Sequence, residues 1–160
     1  MELYREFFKI IEALNISGLP YAVVGGLAMA FHDVPRFTKD IDILGLPADM
    51  SAYSEVFKKL GYSVGGNPWT FKDSQLTMHR FIKPSEDEEF IVVDLLIGNL
   101  QEHRKMMDRV VLDDSYIGKV RLASREDLIA LKKLRNSDQD QVDIKNLSND
   151  QNRESSEGSE

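Results

Sequence analysis

Three aspartates carry the chemistry open to this 160-residue sequence. Asp40 and Asp42 stand two apart in Asp40-Ile41-Asp42, and Asp94 interrupts the apolar run Phe90-Ile91-Val92-Val93-Asp94-Leu95-Leu96-Ile97. Side chains alternate along a strand with period two, so Asp40 and Asp42 share one face while Ile41 and Ile43 share the other. Like charges that close raise each other's pKa unless a cation lies between them, and hard oxygen donors suit Mg²⁺. A lone carboxylate in an apolar strand must be paired, hydrogen-bonded or metal-bound, so Asp94 needs a partner. Upstream, Gly25-Gly26 ends the apolar run that starts at Tyr21. A diglycine opening a helix lets a phosphate approach backbone N–H groups that favour anions. Together these residues make a site for a nucleotide and its metal.

The other candidates divide between two readings. Arg36 and Lys39 beside the carboxylates are either surface charges at a turn or neutralisers of phosphate. Lys132, Lys133 and Arg135 close a helix, where cations complement the macrodipole without any ligand. His32, His79 and His103 lack metal-ligand spacing and read as structural or surface histidines. Trp69 and Phe71 read as core or loop packing, with base stacking the lesser alternative. The diglycine lacks the third glycine and the downstream acid of a dinucleotide fingerprint, which disfavours a nicotinamide-dependent oxidoreductase.

The elements that must position these residues form an α+β domain over 1–147. Leu3, Phe7, Ile10, Ile11 and Leu14 have helical spacing, and Tyr21 to Val24 reads as a buried strand feeding a glycine turn and a helix over Leu27 to Phe31. The strand Asp40 to Leu44 is followed by an amphipathic helix over Ser51 to Leu60, and Tyr62 to Val64 reads as a weak strand in a breaker-rich stretch. Gln75 to Ile82 and Glu89 to Ile97 read as a hairpin, which makes the sheet mixed. Leu100 to Val110 reads as a helix, and Tyr116 to Leu122 as an edge strand or hairpin arm. Ser124-Arg125-Glu126-Asp127 has the capping-box pattern ahead of a helix through Leu134. A short helix over Gln139 to Leu147 comes last, and the polar 148–160 reads as a disordered acidic tail.

Composition sets the outer limits. No cysteine is present, which removes disulfides, thiolate catalysis and the usual structural zinc sites. The absence of a signal peptide or long apolar span predicts a cytoplasmic protein with no membrane partner. A formal net charge of −7 argues against broad DNA binding.

The order Gly25-Gly26, a helix, Arg36-x-Thr38-x-Asp40-Ile41-Asp42 and a later strand with Asp94 resembles the minimal nucleotidyltransferases of the DNA polymerase beta superfamily. Within them it is most similar to the abortive-infection toxin type, with its GG-helix-RxTxDID run. Ser124-Arg125-Glu126-Asp127-Leu128 followed by Lys132 or Lys133 resembles the C-terminal segment of that group. The resemblance implies the nucleotidyltransferase fold, a mixed sheet with helices packed against it. It further implies two divalent ions, Mg²⁺ or Mn²⁺, on Asp40, Asp42 and Asp94, which would be both the metal ligands and the catalytic set. By the same resemblance Gly25, Gly26, Arg36, Thr38, Lys39 and Lys132 or Lys133 would bind the nucleotide, and Asp94 would help to deprotonate the acceptor hydroxyl. The reaction implied is transfer of a nucleoside monophosphate from an NTP to an RNA end, a protein or a small molecule. Many members carry serine where this chain has Gly26, which leaves backbone donors alone for the phosphate. The long C-terminal helical domain of larger relatives is not found, so a protein partner subunit or a small acceptor is expected. The alternative function is a non-catalytic binding module or toxin–antitoxin component acting through a protein partner.

Overall fold

The alternation along Asp40–Gly45 (β2) decides where the core lies. A computed structural model describes residues 2–34, 37–87, 89–115 and 118–157, with the backbone alone at 115 and 150–157. In it Ile41 and Ile43 are fully buried, whereas Asp40 and Asp42 are half-buried on the opposite face. The elements run α1 (Glu2–Ser17), β1 (Ala22–Val24), α2 (Gly25–Phe31), β2, α3 (Met50–Lys59), β3 (Ser63–Val64), β4 (Trp69–Phe71) and β5 (Leu76–Pro84). They continue with β6 (Phe90–Gly98), α4 (Gln101–Asp108), β7 (Val111–Ser115), β8 (Gly118–Leu122), α5 (Arg125–Arg135) and α6 (Asp138–Glu157).

The strands form one sheet in the order β3-β5-β6-β2-β1-β8-β7, with β4 also paired to β5. The β2–β6 and β1–β8 pairs are parallel and the others antiparallel, so the sheet is mixed and the fold α+β, as expected. One face is covered by α1 and α3. There the Phe57 ring lies 4.9 Å from that of Phe81, and Glu6 accepts hydrogen bonds from Tyr62 Oη at 3.0 Å and Lys83 Nζ at 3.1 Å. Removing these apolar side chains from water supplies the driving force, at about 25 cal/mol per Å². The other face carries the aspartates, and α5 packs over it. No helix of the described residues is long and apolar enough to cross a membrane.

Three elements differ from the sequence reading. Trp69–Phe71 is a strand, and Trp69 is not packed in a core. It pairs with Met78 along the edge of β5 and is exposed. Val111–Ser115 is the first arm of a hairpin with β8, where the sequence pattern shows only the second arm. The last helix continues past Leu147 to Glu157. Its polar residues offer no apolar periodicity, but neither glycine nor proline interrupts them before Gly158, and glutamate, glutamine and arginine are good helix formers. Tyr116 lies outside the described residues.

Candidate active site

The parallel register of β2 with β6 brings the acids together. Asp42 is the direct neighbour of Asp94, and Asp40, two residues earlier on β2, points to the same side. Asp94 is 5% exposed and finds its partner in Arg80, its cross-strand neighbour on β5. Arg80 Nε donates to Asp94 Oδ1 at 2.8 Å and Nη2 to Oδ2 at 3.0 Å, a bidentate pair that occupies both oxygens. No described residue donates a hydrogen bond to the carboxylate of Asp40 or Asp42.

The electrostatics follow from that imbalance. Burial first, and then the charges of Asp94 and Asp40, push the Asp42 carboxyl up to about 7. Asp40 is raised by burial and by Asp94, with Arg80 and the exposed Lys39 pulling it back. The three carboxylates therefore share one field, in which Arg80 pairs directly with Asp94 alone. Among the described residues they do not stand in closed metal-coordinating geometry, and Arg80 already holds one of them. The donor set nevertheless suits a hard cation, because the carboxylate oxygens of Asp40 and Asp42 are half-buried and accept no hydrogen bond from a described residue.

The diglycine is built against these acids. Gly25 has φ +71°, a left-handed conformation that L side chains rarely adopt, and a Cβ there would overlap the Asp42 carboxylate, with its Cγ at 2.9 Å. Gly25→Ala is therefore expected to cost about 1–2 kcal/mol in backbone strain alone and to displace Asp42, read as a lower melting temperature and lost transfer activity. At Gly26 a Cβ would lie 2.8 Å from Thr38 Cβ. Thr38 in turn donates to the Asp40 carbonyl at 3.1 Å and so ties the strand entry to the glycine turn. The missing serine hydroxyl thus has a steric reason: with Thr38 as placed, a side chain at position 26 does not fit. Arg36 lies outside the described residues.

Lys132 and Lys133 separate. Lys132 is buried and donates to Asp143 at 3.0 Å, while Lys133 is exposed and does not line the cavity. Arg135, which the sequence reading left as a helix-closing charge, also faces the site and donates to Asp140 at 2.7 and 2.6 Å. Burial pushes the Asp140 carboxyl up, but the hydrogen bonds from Arg135 and Ser137 outweigh it and hold it below the usual carboxylate range. Lys132→Met removes the buried ammonium that donates to Asp143 and is expected to cost roughly 3 kcal/mol. Lys133→Met should stay within about 0.5 kcal/mol of the parent, and chemical denaturation of the two variants checks the contrast. Two histidines hold structural contacts: His32 Nε2 meets the Ala123 carbonyl at 2.8 Å, and His103 Nδ1 accepts from Leu100 N–H at 3.1 Å.

Between the acidic face and α5 lies a cavity of about 530 Å³. Asp42, Asp94 and Gly25 line it, with Trp69 and Met78 on one wall and Leu131 on the other. A compartment of that size suits a nucleotide or a drug-sized molecule. Arg80 was not visible in sequence, since its pairing with Asp94 depends on strand register; the apolar alternation of Gln75 to Ile82 was the available signal.

The profile of a protein family described as "Nucleotidyl transferase of unknown function (DUF2204)" matches residues 3–157. No curated protein matches the sequence. Among solved structures the chain is similar to a Thermotoga maritima protein provisionally assigned as a nucleotidyltransferase, at 20% identity over 83% of this chain and 84% of that one, TM-score 0.63. It is similar to the lincosamide antibiotic adenylyltransferase LnuA with lincomycin bound, at 15% identity over 90% and 95% of the two chains, TM-score 0.59. It is also similar to ANT(2'')-Ia in complex with adenylyl-2''-tobramycin, at 15% identity over 94% and 90%, TM-score 0.55. At such identities these likenesses show the fold.

Proposed function

The chain belongs to the nucleotidyl transferase family whose profile spans residues 3–157, and on that premise we propose that it transfers a nucleoside monophosphate from an NTP to a hydroxyl group, releasing pyrophosphate. The observation that carries this reading is the carboxylate cluster: Asp42 beside Asp94 on adjacent parallel strands, Asp40 on the same face, and a left-handed Gly25 pressed against Asp42. Asp40, Asp42 and Asp94 would hold Mg²⁺ or Mn²⁺, which supplies charge neutralisation and Lewis acidity at the reacting phosphate.

The chain's own groups have distinct tasks in this scheme. The Gly25 turn lets the triphosphate come close to the backbone. Lys39 stands near Asp40 and offsets charge at the rim. Asp94, once released by Arg80, accepts the proton of the attacking hydroxyl. The acceptor oxygen bonds to the α-phosphorus, the bond to the bridging oxygen of pyrophosphate breaks, and pyrophosphate leaves with the electron pair. Positioning and electrostatic stabilisation carry the rate. Two of the similar structures hold lincomycin or an adenylylated tobramycin, which favours a small-molecule acceptor for this chain as well.

The test is pyrophosphate release by the purified chain with each of the four NTPs and a small-molecule cell extract. Release that needs Mg²⁺ or Mn²⁺ and stops with chelator is the expected result. Absence of release with every NTP, or release unaffected by chelator, rejects the reading.

A further inference from the structure

The face of the sheet that bears the aspartates continues past them to an edge. Arg80 is the cross-strand neighbour of Asp94, Met78 of Leu96, and Trp69 of Met78, so two adjacent rows of side chains, Asp94–Arg80 and Leu96–Met78–Trp69, lie on one face and reach from the carboxylates to β4. Trp69 is 62% exposed and lines the cavity mouth, with Leu128, Leu131 and Leu134 of α5 across from it. A large aromatic left open at the mouth of a cavity is a platform for a ring or a flat apolar body.

The two sides of the cavity differ in chemistry, and the reaction proposed above needs that difference. In a phosphoryl transfer the entering and leaving oxygens lie on opposite sides of phosphorus. On the Asp42 side stand the Gly25 turn, Lys132 and Arg135; the two cations are already held by Asp143 and Asp140, so close approach of a phosphate there falls to the Gly25 backbone. That side suits anionic pyrophosphate. The entering hydroxyl then belongs on the Asp94 side, which leads along β5 to Trp69.

We propose that the wall formed by β4 and β5 is the acceptor subsite, and that the acceptor is a small hydroxyl compound with a flat apolar body and no phosphate or carboxylate, seated on Trp69. This rests on the transferase reading and specifies its substrate class. Charge argues against an anionic or polynucleotide acceptor. Arg80 is paired with Asp94, Arg135 with Asp140 and Lys132 with Asp143. Among the described residues lining the cavity, Lys72 is the one cation without an ion pair, and Asp73 lies beside it. A nucleic-acid backbone needs a run of unpaired cations, and the chain's net charge of −7 repels one. In the step itself the acceptor oxygen bonds to the α-phosphorus, its proton passes to Asp94, and pyrophosphate departs.

The full chain is incubated with α-phosphate-radiolabelled NTPs, Mg²⁺ and cell extract divided by ultrafiltration into small-molecule and macromolecular fractions. Label is expected in a small-molecule product whose chromatographic mobility alkaline phosphatase does not change. Trp69→Ala is expected to raise the KM for the small-molecule fraction about tenfold, with kcat and Mg²⁺–NTP affinity unchanged and Trp69→Phe restoring most of the loss. The exposed position of Trp69 makes folding of both variants secure. Trp69 is the single tryptophan of the sequence, so its fluorescence reports on this wall directly. Label on RNA or protein, or a phosphatase-sensitive product, overturns the acceptor class while leaving the transferase reading intact. Quenching of Trp69 by Mg²⁺–ATP alone, with nucleotide affinity lost in Trp69→Ala, assigns the wall to the nucleobase and overturns the proposal. Failure of pyrophosphate release with every NTP removes both readings together.

Discussion

Asp42→Asn is expected to abolish nucleotidyl transfer and, in chelator, to make the protein more stable at neutral pH. The Asp42 carboxyl is pushed up to about 7 from an ordinary 3.8 by burial and by Asp94 and Asp40. Between those two values the folded chain binds a proton that the unfolded chain has released, so stability falls as pH rises through that window. Asparagine carries no charge and removes that contribution to the slope. At pH 8 the gain is on the order of 2–4 kcal/mol, and below pH 4 it vanishes. The same substitution removes an anionic ligand from the phosphate site, a loss of several kcal/mol of transition-state stabilisation, or about 10³-fold or more in rate. Calorimetric melts at pH 4 and pH 8, set beside pyrophosphate release, check both halves. An Asp42→Asn variant with the parent's pH profile would show that Asp42 is not the strained carboxylate of the cluster.

Arg80→Met is expected to have effects of opposite sign on the metal-free and metal-loaded protein. Asp94 is 5% exposed and depends on Arg80 for both of its oxygens. Breaking a buried ion pair from one side is costly, but the Arg80 side chain is 41% exposed, so solvent reduces the penalty to roughly 2 kcal/mol. Once the guanidinium is gone, a divalent cation no longer competes for Asp94, and Mn²⁺ should bind about tenfold more tightly. Added Mn²⁺ should therefore recover more stability in the variant than in the parent. Titration calorimetry with Mn²⁺ and melts with and without chelator read these quantities. Weaker Mn²⁺ binding in Arg80→Met would mean that Arg80 organises the carboxylates and does not compete with a cation.

The parts of this site that were legible in sequence are those governed by one strand at a time. The period-two alternation of Asp40-Ile41-Asp42-Ile43 fixes which side faces the core, and the cost of burying Asp94 alone demands a partner. The identity of that partner was not legible. Arg80 becomes the neighbour of Asp94 only through the register of the β5–β6 hairpin, and a register is a property of two strands. Lys132 and Lys133 look alike in sequence, and only the rotation of α5 against α6 buries one and exposes the other. Trp69 sits among glycine, proline and polar residues that read as a loop, and its strand exists because β5 offers it an open edge. The polar final helix has no apolar stripe to announce it. Gly26 looks like a lost hydroxyl until Thr38 is seen packed where its side chain would stand.

The claim on which the account depends is that Asp40, Asp42 and Asp94 hold a divalent cation against the α-phosphate of an NTP. The direct test is a crystal structure of the chain with Mn²⁺ and a non-hydrolysable ATP analogue, with manganese located by anomalous scattering. The account predicts an anomalous peak bound by Asp40 and Asp42, with Arg80 withdrawn from Asp94 and the phosphates resting against Gly25. Manganese elsewhere, or an analogue bound with Arg80 still paired to Asp94 and no metal among the three carboxylates, would contradict it.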